Sequence, residues 1–240
     1  MPRFDHPDFT RPVTDEPADR ALALTHADPL PPLVEPTAGR VDRPSDDPLV
    51  TVQHRRIRTL CNYWHAGWEN AIPSTLLRSE AMERLVLAVE SLPPEWGLAV
   101  FDAWRPLDLQ QELYSAAISD PTIPPGLFAQ PSTDPTTPPP HLSGGAVDLT
   151  LTVDGVALAL GCGFDDTTEL AHASQLESKS CPARDARRML YHHMHDVGFI
   201  VFKDEWWHFE YGTIRWAAIT GHPPLYGPAT PTDSQLASPQ

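Results

Sequence analysis

Residues 146–153, Ala-Val-Asp-Leu-Thr-Leu-Thr-Val, alternate without a break, and this restricts the fold more than any other stretch of the chain. Successive strand side chains point to opposite faces, so Val147, Leu149, Leu151 and Val153 share one face and Asp148, Thr150 and Thr152 the other. Asp154-Gly155 suits a tight hairpin turn, and Val156 to Leu160 supplies the returning strand. An antiparallel sheet follows, which Leu49–Val52, Gly97–Asp102 and Phe199–Phe202 can join. A helix opens at Pro73-Ser74, with Leu76, Leu77, Met82, Leu85, Val86 and Val89 on one face, and stops at Pro93-Pro94. Others run from about Leu107 to Ser119 and from Arg184 to Val197, the last closed by Gly198. Residues 62–70, 120–140 and 161–183 read as loops. Helices alternate with hairpins rather than with βα units, so the class is α+β: a small central antiparallel sheet flanked by helices.

Most of the 28 prolines sit in the first stretch, the middle and the last stretch. The expected organisation is a Pro-rich acidic tail at 1–47, disordered because it lacks apolar surface to bury, one domain at 48–222, and a Pro/Ser/Thr-rich tail at 223–240. The net charge of −15 argues against a nucleic-acid or anionic-membrane partner. No apolar run is long enough to span a bilayer or to form a signal-peptide core. Cys61, Cys162 and Cys181 form no disulfide framework and no thiolate zinc pair, which fits a cytoplasmic protein.

Two stretches carry chemistry. In Asp204-Glu-Trp-Trp-His-Phe-Glu-Tyr-Gly212 a carboxylate and an imidazole lie three residues apart among aromatic rings. His141 and Asp148 bracket a Gly-Gly bend that leads into the alternating strand. Each stretch alone also reads blandly, the first as an aromatic core strand, the second as an edge strand with a solvated aspartate. Together His141, Asp148 and His208 make three ligands with a fourth position open, the layout of a catalytic metal site, and Glu205 is the candidate general base. Positions three apart in a regular strand face opposite ways, so Glu205 must sit at an irregular strand entry or a bulge. His192, His193 and His195 read as helix-surface or supporting residues, His222 as a loop residue, and Trp104, Trp206 and Trp207 as core or pocket wall.

His141-Leu-Ser-Gly-Gly-Ala-Val-Asp148 and Glu205-Trp-Trp-His208 resemble the two signature motifs of the VanX-type D-alanyl-D-alanine dipeptidases. Phe101-Asp-Ala-Trp-Arg105-Pro106 is similar to that family's Asp-x-Tyr-Arg-Pro element, and Gly161-Cys-Gly-Phe-Asp165 to its Gly-Thr-x-Phe-Asp element. The likeness runs from about Val50 to Tyr211, and Trp after Glu205 sets it apart from carboxypeptidase relatives that carry Pro there. The resemblance implies the zinc D,D-peptidase/hedgehog-like fold and one zinc per chain on His141, Asp148 and His208. It further implies Glu205 as base, Arg105 steadying the oxyanion, and Asp165 anchoring the amino group of a small dipeptide. Pro139 departs from the family, which has Ser there, and proline brings no hydrogen-bond donor. A related zinc D,D-carboxypeptidase and a non-hydrolytic zinc-binding module remain the alternatives. By residue chemistry alone, Arg105 could instead pair with Asp102 or Asp108, and Asp165 could cap the segment after it.

Overall fold

The computed structural model of the chain describes residues 9–15, 28–37 and 39–236. Its strands are β1 (Thr10–Pro12), β2 (Leu49–Thr51), β3 (Ile57–Thr59), β4 (Leu76–Arg78), β5 (Trp96–Asp102), β6 (Ala146–Val153), β7 (Val156–Ala159), β8 (Ile200–Val201) and β9 (His208–Glu210). The helices that matter for the site are α1 (Asn62–Ala66), α2 (Ser79–Ser91), α3 (Leu107–Ser119), α4 (Pro182–Asp196) and α5 (Ile214–Thr220).

The alternating segment, β6, organises the sheet. β5 runs antiparallel along one side of it. Its other side is shared: β9 pairs with Ala146–Asp148 and β7 with Thr152–Val153, both antiparallel. β8 adds antiparallel to β9. The outer strands β1 and β3 run parallel to β7 and β5, so the sheet is mixed and not purely antiparallel as expected. Long connections, rather than hairpins, deliver those two strands and leave their direction free. β2 and β4 form a separate antiparallel pair.

All eight residues of β6 are buried, so neither of its faces is a solvent face and Asp148 is no solvated edge residue. The hydroxyl of Thr150 meets its need internally by donating to the Leu158 carbonyl at 2.7 Å. α2 and α4 pack on each other and against β5 and β6, with Leu85, Val89, Met189, Leu190 and Met194 joining the strand residues in one core.

Four readings from sequence change. Leu76 and Leu77 lie in β4 rather than in the first turn of a helix, because Arg78 pairs with Leu49 and Leu77 with Val50. The expected loop 62–70 contains α1. The segment after the aromatic motif contains α5, capped by Thr213, whose hydroxyl accepts from the Trp216 amide. Parts of both expected tails are packed: Val13 and Val41 are each 2% exposed, and Tyr226 and Ala229 are buried. Asp47 accepts from the Glu80 amide and the Ser79 hydroxyl at the start of α2, and from the Tyr226 hydroxyl, and so ties both ends of the chain to the domain. Residues 1–8, 16–27, 38 and 237–240 of the expected tails lie outside the described residues.

The Gly144-Gly145 bend needs both glycines. Gly144 has φ of +74°, a left-handed conformation that costs other residues energy. At Gly145 a Cβ would lie 2.4 Å from the Tyr211 carbonyl oxygen and 2.8 Å from the Tyr226 ring. Gly145→Ala is therefore expected to cost about 1–3 kcal/mol of stability, read as a lower midpoint in urea. A wild-type midpoint would contradict the close packing of the bend.

Candidate metal centre

Register builds the centre. Asp102 of β5, Asp148 of β6 and His208 of β9 stand abreast across three antiparallel strands, and residues directly opposite one another project from the same face. A register shift between Val100 and Asp102 re-aims the end of β5. His141 reaches the same place from a single 3-10 turn, His141–Ser143, which the Gly144-Gly145 bend connects to β6. Arg78, buried beneath that turn, donates to the carbonyls of Ser143 (2.8 Å) and Gly227 (3.0 Å) and fixes it.

His141, Asp148 and His208 are all buried and offer ligand atoms within 4.8 Å of one another. Nδ1 of His141 faces the Ala103 carbonyl at 2.7 Å, and a carbonyl only accepts, so Nδ1 carries the hydrogen. Nε2 of His208 likewise faces Glu210 Oε1 at 2.9 Å. In the neutral rings this leaves the lone pairs of His141 Nε2 and His208 Nδ1 only 3.2 Å apart, beside Asp148 Oδ1 and Oδ2 at 2.9 and 3.3 Å. Two lone pairs and a carboxylate converging on one point repel unless a cation lies among them. Outer hydrogen bonds that fix each imidazole are what metal-binding histidines generally have. The residues therefore fit a divalent metal ion, with one oxygen and two nitrogen donors.

The surrounding charge agrees. Asp102, Asp148, Asp165, Glu205 and Glu210 gather around Arg105, Arg215 and the two imidazoles, an excess of carboxylates over guanidinium groups among the described residues. Burial works against the charge of His208, yet bonds to Asp148 and Glu210 raise it to about 10 when no cation is present. Burial opposes the ionised Asp148 too, but His141 and His208 hold it well below the usual carboxylate range.

Glu205 lies outside β9. Its carbonyl accepts from the His208 amide at 3.3 Å, closing a turn, and the strand starts only at His208. That turn is the departure from strand regularity that the three-residue spacing requires, and it brings Glu205 Oε2 to 3.8 Å from His208 Nδ1. Burial first, with Asp148 adding, pushes the Glu205 carboxyl up to about 7.

Arg105 donates to Asp102 Oδ2 and Gln110 Oε1, both at 2.9 Å, and its Nη2 lies 3.6 Å from Asp148 Oδ2. The pairing with Asp102 and the position beside the trio coexist, so neither of the two readings of Arg105 excludes the other. Burial opposes its charge, but Tyr63, Asp102, Asp148 and Asp165 together raise its pKa further. Asp165 accepts from the Tyr63 hydroxyl at 2.8 Å, and Thr168, not Asp165, caps the segment that follows. Burial and then the charge of Asp148 push the Asp165 carboxyl well up.

These groups open into a small cavity of about 80 Å³ lined by Arg105, His141, Asp148, Asp165, Glu205 and His208, and closed by Phe128, Phe202 and Arg215. Its rings are thus Phe128 and Phe202. Trp206 and Trp207 are buried behind it, the indole of Trp206 donating to Cys162 Sγ at 3.3 Å. His192 bonds the Asp28 carbonyl, His193 the Ser91 hydroxyl, His195 stacks on Tyr191 and His222 on Trp216, all away from the trio. All three cysteines are free.

Sequence reasoning missed Tyr63, Gln110, Phe128, Phe202, Glu210 and Arg215. Glu210 had a signal: it stands two residues after His208 on a strand, hence on the same face. Phe202 and Arg215 flank the aromatic motif, Gln110 and Phe128 reach the cavity from distant segments, and Tyr63 enters through its bond to Asp165; none of them carries a local mark.

The family model described as Peptidase_M15, D-ala-D-ala dipeptidase, matches residues 72–218, more than half of the chain. That span contains the trio and every residue lining the cavity. A D-alanyl-D-alanine dipeptidase of Synechocystis sp. is 28% identical in an alignment 176 positions long that covers 59% of this chain and 71% of that protein.

Proposed function

The chain belongs to the D-Ala-D-Ala dipeptidase family of metallopeptidases, and from that premise we propose that it hydrolyses D-alanyl-D-alanine or a similar D,D-dipeptide. One zinc ion is held by His141, Asp148 and His208. The observation that carries the reading is the convergence of these three buried ligands beside an unshared carboxylate, Glu205, in one small cavity.

Bound zinc supplies Lewis acidity, which acidifies a water and polarises the scissile carbonyl. Glu205 accepts the proton of the attacking water and returns it to the leaving amine; its burial raises the carboxyl above the ordinary carboxylate range, which strengthens it as a base. Arg105, fixed by Asp102 and Gln110, steadies the negative charge that grows on the carbonyl oxygen, and its fixed position means that little reorganisation is needed at that moment. Asp165 takes the substrate ammonium group, an incoming positive charge that offsets the burial and the repulsion from Asp148. Gln110 also holds the 120–140 loop over the cavity, donating to the Ala129 carbonyl at 2.7 Å.

A longer peptide is the second reading, and a neighbouring groove supports it. About 300 Å³ in volume, it shares Gly126, Leu127, Phe202 and Glu205 with the cavity. The free thiols and the acidic surface favour a cytoplasmic protein without a nucleic-acid partner. Among the described residues no helix is long and apolar enough to cross a membrane.

Metal analysis combined with a peptide panel tests the proposal. The purified protein is expected to hold one zinc per chain and to cleave D,D-dipeptides ahead of L,D- and L,L-dipeptides and of a pentapeptide ending in D-Ala-D-Ala. Preference for the pentapeptide would favour the carboxypeptidase reading. Bound metal without hydrolysis of any member would overturn the enzymatic one.

A further inference from the structure

Two guanidinium groups line the cavity, and the proposed reaction uses only Arg105. The other, Arg215, sits in the first turn of α5, with its side chain 20% exposed. Its plane lies over the Phe202 ring at 4.1 Å, and Phe202 itself lines the cavity. Nη1 bonds Glu210, the carboxylate that also holds His208, and Nε bonds Glu35 Oε1 at 3.1 Å. Nη2 is left without an acceptor among the described residues.

We propose that Arg215 determines substrate specificity by taking the free C-terminal carboxylate of the dipeptide. This rests on the dipeptidase reading above and goes beyond it by naming the group that reads the second end of the substrate. A dipeptide brings one ammonium and one carboxylate, and a cavity rich in carboxylates repels the latter unless a cation receives it. Arg105 cannot be that cation alone. Its Nε and Nη1 are committed to Asp102 and Gln110, and its Nη2 points at the Tyr63 hydroxyl (3.4 Å) and Asp148. Pro140, which lines the cavity next to His141, brings no donor. Arg215 has the free corner, and the Phe202 face and the Glu210 anchor fix the direction in which it points. Of its two partners, Glu35 is 41% exposed, a screened pairing, and the buried Glu210 also serves His208. A guanidinium presents planar donors that match a carboxylate.

Steady-state kinetics on the zinc-loaded protein tests this, comparing D-alanyl-D-alanine with D-alanyl-D-alaninamide, which lacks the carboxylate charge. The wild type is expected to favour the acid. Arg215→Met should lose roughly a hundredfold in kcat/KM on the acid, mainly through KM, and less than about threefold on the amide. Arg215→Lys should recover part of the loss. Zinc content, measured on each variant, should stay at the wild-type level. Equal losses on both substrates would overturn the proposal and make Arg215 a residue that acts through Glu210 and His208. Wild-type parity between acid and amide would overturn it without any variant. Calorimetric binding of the two dipeptides to zinc-loaded Glu205→Gln reads the same preference without turnover. A protein that binds the acid better through Arg215 but hydrolyses neither dipeptide would sink the dipeptidase reading and leave this one standing.

Discussion

Glu205→Gln is expected to keep its zinc and to lose about a thousandfold in kcat while KM stays within a few-fold of the wild type. Glu205 is not one of the converging ligands. It stands on the turn before β9, with Oε2 3.8 Å from His208 Nδ1, near enough to meet a water at the metal but apart from the trio. Glutamine keeps the shape and cannot accept a proton. It also removes a buried charge, so the fold should not suffer and a loss of rate can be read as chemistry. The pH profile gives a second reading. A base works only when deprotonated, so kcat/KM should rise with pH through the pKa of Glu205. Burial and Asp148 set that value at about 7 without a cation, and the positive charge of a bound metal lowers it. The acid limb should therefore lie below pH 7 and be absent from the residual activity of Glu205→Gln. Full activity in that variant would remove Glu205 from the mechanism.

The three converging residues were legible as a cluster because each lay in a stretch with its own physical oddity: an aspartate in mid-strand, a histidine before a Gly-Gly bend, a carboxylate three residues from an imidazole. The need for a turn at Glu205 followed from strand geometry alone. What sequence could not supply was register. Nothing local says that Asp102, Asp148 and His208 stand abreast, because that depends on β5 and β9 choosing opposite sides of β6. Tyr63 and Arg215 come from short helices whose place is set by long-range packing. The misreading of Leu76 and Leu77 has the same origin, since their apolar spacing suits either helix or strand and only pairing with β2 decides. The alternation of β6 revealed its two faces but not that both would be covered. Composition misled about the tails: a Pro-rich stretch can still place single valines, Val13 and Val41, into a core built by the rest of the chain.

His208→Ala is expected to abolish zinc binding and activity together, whereas His192→Ala should leave both unchanged. His208 stands at the centre of the buried charges, 2.9 Å from Asp148, 2.9 Å from Glu210 and 3.2 Å from His141. Its removal leaves two buried carboxylates short of a partner, a loss that typically costs about 3–5 kcal/mol. The thermal midpoint should fall and should no longer rise on adding zinc, as the wild-type midpoint does by preferential binding to the folded state. His192 only bonds the Asp28 carbonyl. The wild type adds a pH test with a definite sign. Without metal, the pKa of His208 in the fold is raised from 6.5 to about 10, against burial, by Asp148 and Glu210. The stability this lends is fully present below pH 6.5 and is lost as pH climbs through about 10. Zinc replaces that proton, so the loaded protein does not lose the contribution over the same range. The gap between the loaded and metal-free midpoints should therefore widen as pH rises above 6.5 and vanish in His208→Ala. A gap of constant width would mean that the metal does not displace a proton from His208.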